Sequence, residues 1–141
     1  MTEPQPAPAG GEPRKTGPSK AALIAGWVLG IIPSGLLFFS AAMKFSKSPE
    51  VADGFSKLGW STDKAALLAV LEAGSVVLYL IPQTAVLGAI LVTGYMGGAI
   101  ATHVRLGEPV YTQALVPIVF WIGLYLRDPR VRALAPIRRT P

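Results

Sequence analysis

The sequence predicts an all-α fold: a four-transmembrane-helix bundle with a short interfacial helix between spans 1 and 2. Three observations carry this expectation. Of the 141 residues, 51% are hydrophobic and only 15% charged, against about 25% charged in soluble domains. The mean hydropathy is +0.47. The apolar residues gather in four long runs, 21–43, 65–81, 85–101 and 109–126, and a bilayer core of ~30 Å takes about 20 residues of helix. A soluble helix would carry charge along its outward face, and none of these runs has such a face. Continuous runs also lack the alternation of a membrane β-strand.

Residues 1–19 contain Pro4, Pro6, Pro8, Pro13 and Pro18 with Gly10, Gly11 and Gly17. Such a segment cannot bury enough apolar surface to fold. It reads as a disordered Pro-rich cytoplasmic tail before a membrane domain over 20–141. The first run lies between Lys20 and Lys44. Its basic leader and Ser40-Ala41-Ala42 have features of a cleavable signal, but signal h-regions span only about 7–15 residues, so the run reads as a true span.

The loop over 44–64 carries a helix start. Ser48 suits an N-cap, Pro49 the first turn, and Glu50 the positive helix end. Val51, Phe55 and Leu58 form one apolar stripe, and Gly59 is a natural stop. The segment is expected to lie in the interface with Trp60 at headgroup depth, as a connector or as a lid over a cavity. Pro82-Gln83-Thr84 joins the second and third runs as a tight antiparallel turn. Gly26 with Gly30, and Gly94 with Gly98, have the spacing of close helix packing, as does Gly97 with Ala101. These faces are expected to meet neighbours within the chain or a second copy of it. Pro33 and Pro117 are expected to kink their helices.

Lys and Arg total 13, Asp and Glu 8, for a net charge of +5. The basic residues sit between apolar runs, which reads as topology signal and lipid contact rather than nucleic-acid binding. With four spans, one side holds Arg14, Lys15, Lys20, Arg127, Arg130, Arg132, Arg138 and Arg139. The other holds Lys44, Lys47, Lys57, Lys64 and Arg105. The richer side is expected inside, placing both termini there, in the cytoplasmic membrane if the chain is bacterial.

Glu72 is the charge inside the second run, and a carboxylate at mid-membrane costs roughly 2–3 kcal/mol or more on insertion scales. It must face the interior and find partners. Depth along the helices brings Tyr95 to its level, with Lys44, His103 and Arg105 closing their spans on the same side. The expectation is a polar intramembrane cluster of Glu72 and Tyr95, with Lys44, His103 and Arg105 above. Structural readings stand beside it: a helix-bridging hydrogen bond for Glu72, snorkelling anchors for Lys44 and Arg105, and a helix cap for His103. With no cysteine and one histidine, no metal, haem or iron–sulfur cluster is expected.

The stretch Leu78-Tyr79-Leu80-Ile81-Pro82-Gln83-Thr84-Ala85 with Leu87-Gly88-Ala89 resembles a helix junction of small DoxX-like membrane proteins. So do the stretch from Thr93 through Gly97-Gly98 to Thr102-His103-Val104-Arg105 and the ending Trp121-Ile122-Gly123-Leu124-Tyr125-Leu126-Arg127-Asp128-Pro129-Arg130-Val131-Arg132. Ala42-Met43-Lys44-Phe45 and the Glu72 position fit as well. The resemblance covers about residues 22–138 and implies a four-helix membrane protein, some of whose relatives are linked to redox systems. It leads to a non-catalytic subunit or partner of a membrane complex, working with a membrane protein or as a homodimer. The rival readings are a redox subunit binding quinone between its helices, with Glu72 and Tyr95 at the quinone oxygens, and a small proton-coupled transporter.

Overall fold

A computed structural model describes residues 17–134, so the predicted tail falls, for residues 1–16, outside the described residues, as do Arg138 and Arg139. The described chain is helical: α1 (Lys20–Phe45), α2 (Pro49–Lys57), a 3-10 turn (Thr62–Lys64), α3 (Ala65–Leu80), α4 (Ala85–Arg105), α5 (Tyr111–Arg127) and α6 (Pro129–Leu134). The Ser19 hydroxyl opens α1 by accepting from the Ala22 amide at 3.2 Å. Pro33 and Pro117 sit inside α1 and α5 without ending them. Two helices, α1 and α4, are long and apolar enough to cross a membrane by length and composition. The helices α3 and α5 are shorter, at 16 and 17 residues.

Each long helix runs antiparallel to its neighbours. α1 packs on α3 and α5, and α4 packs on the same two helices. One end of the assembly therefore collects the start of α1, the α3–α4 turn and the end of α5. The opposite end carries α2. The core along this axis includes Leu37, Val76, Tyr79, Ala89, Val92, Met96, Phe120 and Leu124. Larger apolar side chains face outward instead: Ile24, Ile32, Leu36 and Phe39 on α1, Leu67 and Val70 on α3, Ile90 on α4, Leu115 and Ile118 on α5. An apolar exterior on every long helix suits lipid as the surrounding medium.

With no apolar contrast between lipid and interior, close backbone approach holds such helices together. A Cβ on Gly26 would stand 2.7 Å from the Gly123 carbonyl oxygen, and one on Gly123 would stand 2.9 Å from that of Gly26. A Cβ on Gly30 would press on the Tyr79 ring. Tyr79 locks this crossing: its hydroxyl donates to the Phe120 carbonyl at 2.9 Å, and its ring meets that of Phe120 edge-on at 4.4 Å. Gly88 lets α4 fold back directly on the Tyr79 backbone.

The second glycine pair meets no neighbour within the chain. Positions 94, 97 and 98 have no neighbouring atom within 4 Å of where a Cβ would stand. Gly94 and Gly98 line a cavity rather than a helix contact. Small residues that leave room and small residues that admit a neighbour have the same sequence spacing.

Two elements were not anticipated. One is the 3-10 turn before α3. The other is α6, which starts where the Asp128 carboxylate accepts from the Arg130 amide at 2.8 Å and Pro129 fits the first turn.

Candidate functional site

The cavity lies at the α2 end, between α1, α3, α4 and α5, and encloses about 540 Å³. Its walls are mostly apolar, with Leu36, Leu37, Leu68, Met96 and Val116 among them, and the polar groups are few. Lys44 stands in the last turn of α1 and Glu72 midway along α3. Their Nζ and Oε2 atoms are 2.6 Å apart. The Lys44 side chain is 16% exposed and that of Glu72 2%. Ser40, one turn before Lys44, completes the arrangement. Its hydroxyl donates to Glu72 Oε2 at 3.3 Å and accepts from Lys44 at 2.7 Å. A buried carboxylate is tolerable only with partners of this kind.

The other predicted residues divide. Tyr95 and His103 line the same cavity as Lys44 and Glu72. Tyr95 stands beside Glu72, with its hydroxyl toward the carboxylate that Lys44 and Ser40 engage. His103 holds Glu108 at 2.7 Å through Nδ1. That pairing follows from the chain reversal after α4, where Gly107 takes φ +70° and the Glu108 amide returns to the His103 carbonyl.

Arg105 leaves the cluster. It is absent from the cavity wall, and its guanidinium donates to the Leu58 carbonyl at 2.8 Å. It thereby ties α4 to the end of α2 instead of lining the cavity.

The helix α2 forms as its sequence signals require. Ser48 caps it, accepting from the Val51 amide at 3.4 Å. Hydrogen bonding to its own backbone amide, and then to Ser48, holds the Glu50 carboxyl below the usual glutamate range. At the other end Gly59, at φ +72°, lets the Trp60 amide reach the Phe55 carbonyl at 2.8 Å. The predicted stripe turns inward: Phe55 is buried, and Phe55, Leu58 and Trp60 line the cavity. The end of α2 thus stands against the cavity, where a lid and a plain connector would both lie.

Sequence reasoning did not single out Ser40, Thr112 or Gln113. All three line the cavity, and the Gln113 Oε1 atom is buried without a hydrogen-bond partner among the described residues. Ser40 was discoverable as the residue one turn from Lys44. A fourth missed residue, Arg127, lies at the opposite end. Its side chain is buried between Trp27 and Tyr79 rather than standing at a surface.

An apolar cavity with a few convergent polar groups is the form of a small-molecule site. Here a carboxylate engaged at Oε2 by an ammonium and a hydroxyl stands beside a phenol. The arrangement offers polar groups at one place in an otherwise apolar wall. These features define an all-helical membrane protein with a polar-footed chamber between its helices. The chain belongs to the DoxX-like family, whose sequence pattern matches residues 21–126. No curated protein and no solved structure matches it.

Proposed function

We propose that this protein is a four-span integral membrane protein with both termini inside. On this reading it binds a small amphipathic molecule in the chamber at its α2 end, as a non-catalytic component of a membrane complex. The observation that carries the reading is the chamber of about 540 Å³ with the Lys44–Glu72 pair in its wall. Four spans are favoured because α3 and α5 pack against α1 and α4 and expose Leu67, Val70, Leu115 and Ile118 to the same surroundings. The excess of Lys and Arg beside the chain ends favours the orientation. Engagement of Glu72 by Lys44 and Ser40 favours holding a ligand over relaying protons.

Gly98→Leu is the test. A Cβ at position 98 meets nothing within 4 Å, so a leucine there starts without a clash and reduces the space in the chamber. The variant is expected to keep the wild-type unfolding temperature in detergent. It is expected to lose the stabilisation that short-chain quinone analogues or medium-chain fatty acids give the wild type. Equal stabilisation of the two proteins by every probe would remove the chamber as a ligand site.

A further inference from the structure

The geometry points to a second site, independent of the chamber, that binds a phosphate anion at the end of the molecule where α1 begins. A cavity of about 300 Å³ there is lined by Trp27, Pro82, Gln83, Arg127, Asp128 and Arg130, among others. Arg127 is its centre. The residue is only 8% exposed, although it ends a helix where an arginine would ordinarily reach outward.

One guanidinium nitrogen, Nη2, donates to the Tyr79 carbonyl at 2.8 Å. The planar group lies 4.1 Å from the Trp27 ring centre and 4.4 Å from that of Tyr79. The other terminal nitrogen, Nη1, has no hydrogen-bond partner among the described residues and is closed off by the side chains around it, so an anion meets it once those side chains yield. A buried cation short of an acceptor is costly, and a charged oxygen is the partner that relieves it best.

The surroundings fit an anion from outside the chain. Arg130 lines the same cavity with its side chain exposed, so the site has two guanidinium groups, one fixed and one free to close. Gln83, in the α3–α4 turn, adds an amide. Asp128 is the acid in this lining, and its carboxylate is engaged by the Arg130 amide at the start of α6. Planar guanidinium pairs recognise phosphate oxygens with good geometry. The aromatic face of Trp27 supplies an apolar flank for what the phosphate carries. A phospholipid headgroup from the adjoining leaflet and a free phosphate ion share this chemistry.

The full-length protein in neutral detergent, titrated with phosphatidylglycerol, phosphatidylcholine or inorganic phosphate, distinguishes these sources. Phosphatidylglycerol is expected to raise the unfolding temperature well beyond phosphatidylcholine, with one lipid retained per chain in native mass spectrometry. Arg130→Gln is expected to weaken that binding about fivefold. Asp128→Asn, which keeps the cap but removes the opposing charge, is expected to strengthen it. Lys20→Gln, an equal change of charge at the same end but outside the cavity, is expected to leave it unchanged. Inorganic phosphate that shifts the unfolding temperature and competes the lipid away would support the site and assign it to the free ion. Equal responses to both lipids with none to phosphate would overturn it, as would equal losses in Arg130→Gln and Lys20→Gln.

Discussion

Lys44→Met is expected to destabilise the protein by about 3–5 kcal/mol, because it strands a buried carboxylate. Glu72 is 2% exposed and would keep the Ser40 hydroxyl, 3.3 Å away, and the neighbouring Tyr95 phenol, but no positive charge. The double variant Lys44→Met with Glu72→Leu removes both charges and is expected to recover most of that loss, since a well-packed apolar pair replaces a buried ion pair at little cost. Denaturant titration of the four proteins in one detergent forms a double-mutant cycle. A double variant as unstable as the single one would show that the interaction matters through something other than its charge. The same variant also separates stability from binding: an apolar pair that restores folding but abolishes probe binding assigns the ions to the ligand.

Gly88→Ala is expected to be the most damaging single methyl in the chain. Its Cβ would collide with the backbone of Leu78 and Tyr79, which no rotamer change can relieve. Overpacking against side chains costs typically 1–3 kcal/mol, and a collision with main chain should reach or exceed the top of that range. The expected readout is loss of the monodisperse peak on size-exclusion chromatography. Gly94→Ala, in the same helix, meets nothing within 4 Å and should gain slightly, since alanine favours helix over glycine by roughly 0.5–1 kcal/mol. A Gly88→Ala protein as stable as wild type would mean that α3 and α4 do not meet where Gly88 faces Tyr79.

The contrast between those glycines shows where the sequence stops being informative. The apolar runs, the turn at Pro82-Gln83-Thr84, and Ser48 with Gly59 at the ends of α2 were all legible, because each is fixed by local chemistry. The relation of Glu72 to the far end of α1 was legible through depth. The order of its partners was not, because a lysine stem reaches down from the helix end and takes the carboxylate directly, beside a tyrosine at the same level. Arg105 was placed by depth alone, and what it grips is a backbone carbonyl at the end of α2 that no side-chain pattern announces. Arg127 looked like a positive charge marking the membrane edge. Its burial depends on Gly26 and Gly123 bringing α1 and α5 together, and on Trp27 and Tyr79 offering ring faces from two other places in the chain. Such convergence is a property of the folded chain alone.

The unequal helix lengths carry a consequence for the host bilayer. At 1.5 Å per residue α3 and α5 reach about 24 and 26 Å, short of a hydrocarbon slab of ~30 Å, while α1 exceeds it. If all four cross, the lipid beside α3 and α5 must pinch inward while the lipid beside α1 need not, or α1 must lean. The protein would then pinch the lipid on two opposite flanks, at α3 and at α5, and partition toward thinner membranes. A neighbouring protein with an equally short belt would relieve one of these flanks by docking on α3 or on α5.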